Sequence, residues 1–538
     1  MSKRSAVIIG IVTLLLLLLV FTRGGVRPKL PGVKLVLFIT VDQFADTYID
    51  RFKDRFSGGL KRLLETGVVY RKVLHANAMT ATCPGHASLS TGTFPAKHGI
   101  VGNHWYDRER GHGMYCIHDD KYGASPALLK RTGFPDWLKS TFSSSQVYSV
   151  SGKDRAAVMM GGKYPDGVYW FDKGTGGFST SRFYTRSGAA WWLDEFNETR
   201  SAKRFYGTTW TPDESIRQGE SDAYDFDFGD FPHVFPHKLG SPGTAPDGDF
   251  FGDIYRSPFL DELTVDFAIE LMKRFDLGGG HSTDYLSVSL SALDTVGHRY
   301  GSFSREVEDV LFRVDREIER LISKVEQKVG LENVIIVFSS EHGIPPFPEH
   351  MHKDEEGADA HRVSADDIAC LQSAFWKNQE AKGEGRFDAT LYLKEELISE
   401  SGFPLEEVSE SVKEQLLRCK PILEVYDSKD LDDYEVDGRE FTSLSSFKRN
   451  YYPERSSDFF VVGKPYHSFS PVRGINHGSP HAYDAEVPLV FLHPKLGKSE
   501  NVRDERLFIT DVAATVAALV GVRAPDDLDG RELPLEID

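Results

Sequence analysis

Leu35-Val36-Leu37-Phe38-Ile39-Thr40-Val41-Asp42 is a run of apolar and β-branched residues that ends on a carboxylate. With no polar alternation, it predicts a strand buried on both faces, as strands inside parallel sheets are. Open sheets of that kind place their chemistry outside the carboxyl ends of the strands. Two further runs end in the same way. Tyr285-Leu286-Ser287-Val288-Ser289-Leu290 leads to Asp294 and His298, and Val334-Ile335-Ile336-Val337-Phe338 leads to Glu341-His342. A fourth motif, Asn476-His477-Gly478, comes just before the apolar run Val487 to Phe491. Carboxylates and imidazoles brought to one sheet edge from distant segments are what a two-metal hydrolytic site needs.

Between these runs the apolar spacing is helical. Leu260, Leu263, Phe267, Ala268, Leu271 and Met272 predict a helix over 259–275, and Val310, Leu311, Val314, Ile318 and Leu321 one over 305–329. Phe508 to Gly521 reads as a closing helix, and Gln146 to Val150 as another strand. Strand–helix alternation predicts an α/β fold with a mainly parallel sheet. From 167 to about 250 the helical period gives way to dense Trp, Tyr, Phe and Gly, which reads as a cap insertion. A second irregular insertion spans about 345–470, with a helix over Glu406 to Cys419 and an added β-hairpin between Tyr426 and Val462.

The 538-residue chain has a formal net charge of −18, which argues against broad binding to nucleic acid. An anionic substrate must therefore be drawn in locally. Met1-Ser2-Lys3-Arg4 precedes an apolar run from Ala6 to Phe21, which reads as an export signal or signal-anchor. Thr22-Arg23-Gly24-Gly25 is a poor cleavage site, so an uncleaved membrane anchor is favoured, with the rest of the chain on the periplasmic or extracellular face. Residues 22–33 read as a linker. Cys83, Cys116, Cys370 and Cys419 permit one or two bridges in an exported protein, with the pairing open.

The segment Thr80-Ala81-Thr82-Cys83-Pro84-Gly85-His86 carries the candidate nucleophile. Pro84 suits the first turn of a helix. Thr82 is then expected just outside the helix N-terminus, where free N–H groups and the dipole favour an anion. A Thr hydroxyl beside a metal can lose its proton and attack phosphorus. The bland alternative is a Thr N-cap.

These motifs together resemble the alkaline phosphatase superfamily, on the branch of the type I phosphodiesterases and nucleotide pyrophosphatases. The pattern comprises Thr82-Cys83-Pro84-Gly85-His86, His98-Gly99-Ile100 with Asn103, Asp294 with His298, His477-Gly478, and the closing Thr510-Asp511-Val512 with Asp529-Gly530-Arg531. Ser151-Gly152-Lys153-Asp154-Arg155 further resembles an element of the threonine-nucleophile (PafA-type) alkaline phosphatases, which favour monoesters. The resemblance implies a three-layer α/β/α sandwich over about 34–533. It implies one metal held by Asp294, His298 and His477 and another by Asp42, Glu341 and His342, with Thr82 as added ligand. It also implies that Asn103, Lys153 and Arg155 hold the phosphoryl oxygens. A monoester carries more anionic oxygens than a diester, and Lys153 with Arg155 answers that charge. Mixed N/O ligand sets suit zinc, two per chain. Glu341 stands where the family has Asp, and its extra methylene moves the carboxylate by roughly 1–1.5 Å.

His86 and His98 are expected to make structural hydrogen bonds, and His104, His350, His352, His361 and His481 to lie at the surface or behind the ligands. Cys83-Pro84-Gly85-His86 lacks the Arg of the sulfatase pattern. The sequence thus predicts an exported phosphate monoester hydrolase acting through phospho-Thr82 on a small phosphate ester. The rivals are a phosphodiesterase or nucleotide pyrophosphatase, and a non-catalytic, metal-stabilised binding protein.

Overall fold

A computed structural model describes residues 27–185, 191–213, 234–240, 245–354, 359–376, 390–392, 404–469, 474–501 and 506–538. The apolar run Ala6 to Phe21 lies outside them. Among the described residues no helix is long and apolar enough to cross a membrane.

Nine strands form one sheet: β1 (Leu35–Val41), β2 (Val68–Leu74), β3 (Val147–Ser151), β4 (Gly167–Asp172), β5 (Gly177–Ser179), β6 (Asp284–Leu290), β7 (Val334–Ser339), β8 (Glu486–Leu492) and β9 (Ser499–Asn501), in the order β9-β2-β8-β7-β1-β6-β3-β4-β5. The centre, β7-β1-β6-β3-β4, is parallel as expected. The flanks are not. β8 runs antiparallel to both β7 and β2, and β5 antiparallel to β4. The sheet is therefore mixed, and the reversal of β8 matters: its amino end lies at the same edge as the carboxyl ends of β1, β6 and β7. His477, upstream of β8, thus arrives where Asp42, Asp294 and His342 arrive.

All seven residues of β1 are buried. Leu35, Leu37, Ile39 and Val41 point into one apolar cluster, and Val36 and Phe38 into another. The first cluster takes in the helices Phe259–Arg274 and Arg305–Val329; the second takes in Phe134–Thr141 and Asp511–Val520. Helices on both faces of a sheet buried on both sides make the three-layer sandwich.

Three boundaries differ from expectation. β4 and β5 belong to the central sheet, so an insertion beginning at 167 takes in two core strands. Leu30 and Val33, expected in the linker, are buried, and Leu30 N–H donates to Leu519 O at the closing helix. Ile422–Asp427 and Phe459–Gly463 do pair antiparallel, but two helices, Ser428–Asp432 and Ser443–Asn450, connect them in place of a hairpin turn. All four cysteines are bridged, Cys83 with Cys116 and Cys370 with Cys419.

Candidate active site

Asp42 follows β1 directly and is fully buried. Asp294 and His298 lie on the helix α1 (Ala292–Tyr300), where a spacing of four residues puts both on one face. His298 Nε2 is 3.2 Å and His477 Nε2 3.5 Å from Asp294 Oδ1. On the other side His342 Nε2 lies 3.3 Å from Asp42 Oδ1 and 3.5 Å from Glu341 Oε1. Two groups have donor atoms within 4.8 Å of one another, Asp294 with His298 and His477, and Asp42 with Asp294 and His342. Asp294 is common to both, and Glu341 stands beside the second group through its approach to His342.

The three imidazoles share one arrangement. His298 Nδ1–H donates to Ile475 O (2.7 Å), His477 Nδ1–H to Thr80 O (2.7 Å) and His342 Nδ1–H to Gly343 O (3.0 Å). Each Nε2 lone pair is thereby left facing the carboxylates, which is how a backbone carbonyl prepares a metal-binding histidine. Asp42 Oδ1, Glu341 Oε1 and His342 Nε2 are buried without a hydrogen bond of proper geometry among the described residues. Buried polar atoms left in this way are costly unless something satisfies them. The donor set, carboxylate oxygen with imidazole nitrogen, fits a zinc-like cation.

Thr82 is the first residue of the ten-residue helix Thr82–Thr91, not a residue outside it; Ala81 is the N-cap. The hydroxyl does not cap the helix. Its Oγ1 lies 3.4 Å from Lys153 Nζ and 3.3 Å from Arg155 Nη2. Lys153 ion-pairs with both Asp42 and Asp294. Burial works against its charge, but the two carboxylates outweigh burial and raise its pKa. Asp42 is pushed up by burial and by Asp294, yet Lys153 and the nearby polar groups of Glu341 and His342 hold it below the usual carboxylate range. Glu341 goes the other way, raised by burial and by the charge on Asp42.

Asn103 Oδ1 accepts from Cys83 N–H (2.8 Å) and its carbonyl from Cys116 N–H (3.0 Å). The residue is thus suspended between the two halves of one disulfide, and its carboxamide NH2 is the end not used by Cys83. His86 is structural as expected: Nδ1–H donates to Thr82 O (2.8 Å), Nε2 lies 3.1 Å from Ser289 Oγ, and burial lowers its pKa to about 4. His98 contacts Ser88 Oγ (3.1 Å) and accepts from Ile100 N–H.

Several supporting residues escape a reading of the sequence. Gln43 Nε2–H donates to Asp294 Oδ1 (2.9 Å), and Gly297 has no Cβ because that carboxamide fills the space. A Cβ at Gly85 would meet the backbone of Glu341, so this glycine lets the Thr82–Thr91 helix and the Glu341 turn approach. Asp261 Oδ1 accepts from Ser291 and Ala292 N–H (2.8 and 3.0 Å) at the start of α1. Asp484 Oδ2 accepts from Gly478 N–H, Ser479 N–H and Ser479 Oγ–H, and its carbonyl from Gly343 N–H. One residue therefore braces both turns, that of His477 with its carboxylate and that of His342 with its backbone carbonyl. Adjacency to a candidate ligand is the early signal for Gln43 and Gly297; Asp261 has none.

The model of the type I phosphodiesterase/nucleotide pyrophosphatase family matches residues 36–482. Alkaline phosphatase PafA of Elizabethkingia meningoseptica is 28% identical over 94% of this chain and 94% of its own. Alkaline phosphatase PhoD of Zymomonas mobilis is 30% identical over 94% of this chain and 88% of its own. The crystal structure of wild-type PafA superposes with a TM-score of 0.82, covering 94% of this chain and 98% of that one.

Proposed function

The chain belongs to the type I phosphodiesterase/nucleotide pyrophosphatase family, and from that premise we propose that it is a phosphate monoester hydrolase of the alkaline phosphatase type. The observation that carries the reading is the meeting of Lys153 Nζ and Arg155 Nη2 at Thr82 Oγ1, beside two clusters of carboxylate and imidazole donors.

Asp294, His298 and His477 would hold one zinc ion and Asp42, Glu341 and His342 the other. Bound there, the ions supply Lewis acidity for the nucleophile and the leaving oxygen. The residues of the chain do the rest. Thr82 Oγ1 attacks phosphorus in line as the ester oxygen departs with the alcohol, and water then cleaves the phospho-Thr82 bond to release phosphate. Lys153 and Arg155 neutralise the phosphoryl oxygens, Arg155 with a planar fork. The amide of Asn103 donates to one of them as charge builds. The His298 side chain is one-third exposed while Asp42 and His342 are sealed, so substrate enters on the His298 side.

Two disulfides fit an oxidising compartment outside the cytosol. The apolar run Ala6 to Phe21 serves as export signal or anchor, and the insertions within about 167–250 and 345–470 set the choice of small phosphate ester.

A paired assay of p-nitrophenyl phosphate and bis-p-nitrophenyl phosphate tests the reading, with zinc and after chelation. A strong, chelator-sensitive preference for the monoester is expected. Preference for the diester moves the protein to the phosphodiesterases, and bound zinc without turnover on either makes it a binding protein.

A further inference from the structure

Away from the catalytic cluster, Asp359 and two histidines meet where the 359–363 segment crosses the loop after Phe459–Gly463. Asp359 Oδ1 lies 3.5 Å from His361 Nε2 and 3.6 Å from His467 Nε2. The ring of His361 is 5.5 Å from that of His467 and 5.3 Å from that of His352. Backbone bonds fix the crossing: Ser468 N–H donates to His361 O (2.9 Å) and Val363 N–H to Ser468 O (3.0 Å).

Two features set this group apart from a chance surface cluster. His467 is 7% exposed at its side chain, and its Nδ1–H donates to Pro465 O (3.1 Å), so its Nε2 lone pair is aimed at Asp359. The carbonyl plays the part that Ile475 and Thr80 play for His298 and His477. The spacing is also informative. Contacts of 3.5 and 3.6 Å are too long for hydrogen bonds. Each is close to the spacing of about 3.4 Å between two ligands of a tetrahedral ion with bonds of about 2.0–2.1 Å, whereas the two imidazole nitrogens stand more than 4.8 Å apart, so the exposed His361 has to turn inward to complete the set. Lys464 Nζ approaches the other oxygen, Asp359 Oδ2, at 3.7 Å, which leaves Oδ1 to the imidazoles.

We propose that Asp359, His361 and His467, with His352 on the open side, form a peripheral binding site for a borderline transition-metal cation such as zinc or copper. Two imidazoles and a carboxylate select such ions over magnesium and calcium. His361 and Asp359 are more than half exposed, so the ion enters from solvent. The site adjoins the catalytic centre through Arg362. Its guanidinium grips Glu349 and donates to Gly474 O (2.7 Å), next to the Ile475 carbonyl that orients His298. A bound ion would pin the 359–363 segment against that strap.

The test is metal counting on the holoenzyme, with its catalytic metal in place, by equilibrium dialysis against free zinc. The parent should hold one equivalent more than His361→Ala and His467→Gln. His361→Ala changes a mostly exposed side chain, so it tests the site even if His467→Gln does not fold. Copper(II) added to the zinc-loaded parent should show nitrogen ligation by electron paramagnetic resonance, and the signal should vanish in His361→Ala. Equal metal content in parent and variants, or a nitrogen signal that persists in His361→Ala, overturns the assignment.

Discussion

In the proposed reaction Lys153 is the residue on which the choice of substrate turns. It lies between Asp42 and Asp294 and within 3.4 Å of the Thr82 hydroxyl, so its ammonium would serve both these carboxylates and the phosphoryl oxygens. A charge-assisted contact contributes about 1.5–3 kcal/mol. Replacing Lys153 and Arg155 together with Ala should therefore lower monoester turnover about a hundredfold or more, with a much smaller loss on diesters. The ratio of the two rates is the measurement, and equal losses would remove the clamp. At Glu341 the question is reach. The Glu341 backbone is already pressed against Gly85, so the side chain alone takes up the extra methylene. Glu341→Asp should keep or raise zinc-dependent turnover; complete loss would assign Glu341 a role that Asp cannot fill.

At the scale of the element, α1 depends on Asp261. One oxygen of Asp261 accepts from the N–H groups of Ser291 and Ala292; the other is buried without a hydrogen bond among the described residues. Burial raises its pKa from 3.8 to about 7. A carboxyl group raised on folding is harmless below its unfolded pKa and costs stability as pH climbs toward the folded value. The loss between about pH 4 and pH 7 reaches on the order of 4 kcal/mol. Asp261→Asn keeps the accepting oxygen and has no proton to lose. Its melting temperature should therefore fall less than that of the parent across this window, and parallel pH profiles would refute the account. The same scale shows what could be read in advance. The helices Phe259–Arg274 and Arg305–Val329 match their apolar spacing almost to the residue, because burial on one face writes that period directly. The direction of β8 leaves no such mark, since parallel and antiparallel strands share a period of two. β4 was hidden because Tyr169, Trp170 and Phe171 mask strand alternation, and Asp261 because nothing in sequence links it to a helix that begins 31 residues later.

Over the whole molecule, the two disulfides do different work. They close spans of 33 and 49 residues, each worth up to about 4 kcal/mol by chain entropy. Cys370 with Cys419 ties the second insertion to itself; Cys83 with Cys116 also fixes Asn103 beside Thr82. Replacing Cys370 and Cys419 by Ala should lower the melting temperature and leave kcat unchanged. Replacing Cys83 and Cys116 should lower both, and an unchanged kcat would show that Asn103 is held without the bridge. The candidate ligands were legible because their motifs adjoin strands, whereas these pairings were not, since four cysteines allow three of them. The reversed strand β8 also governs timing. Thr82, Asp42 and Lys153 are made early, but the last imidazole, His477, faces Asp294 only when the strand after it has taken its place beside β7. A nascent chain thus carries Thr82, the proposed nucleophile, through most of its synthesis before the cluster of Asp294, His298 and His477 can close.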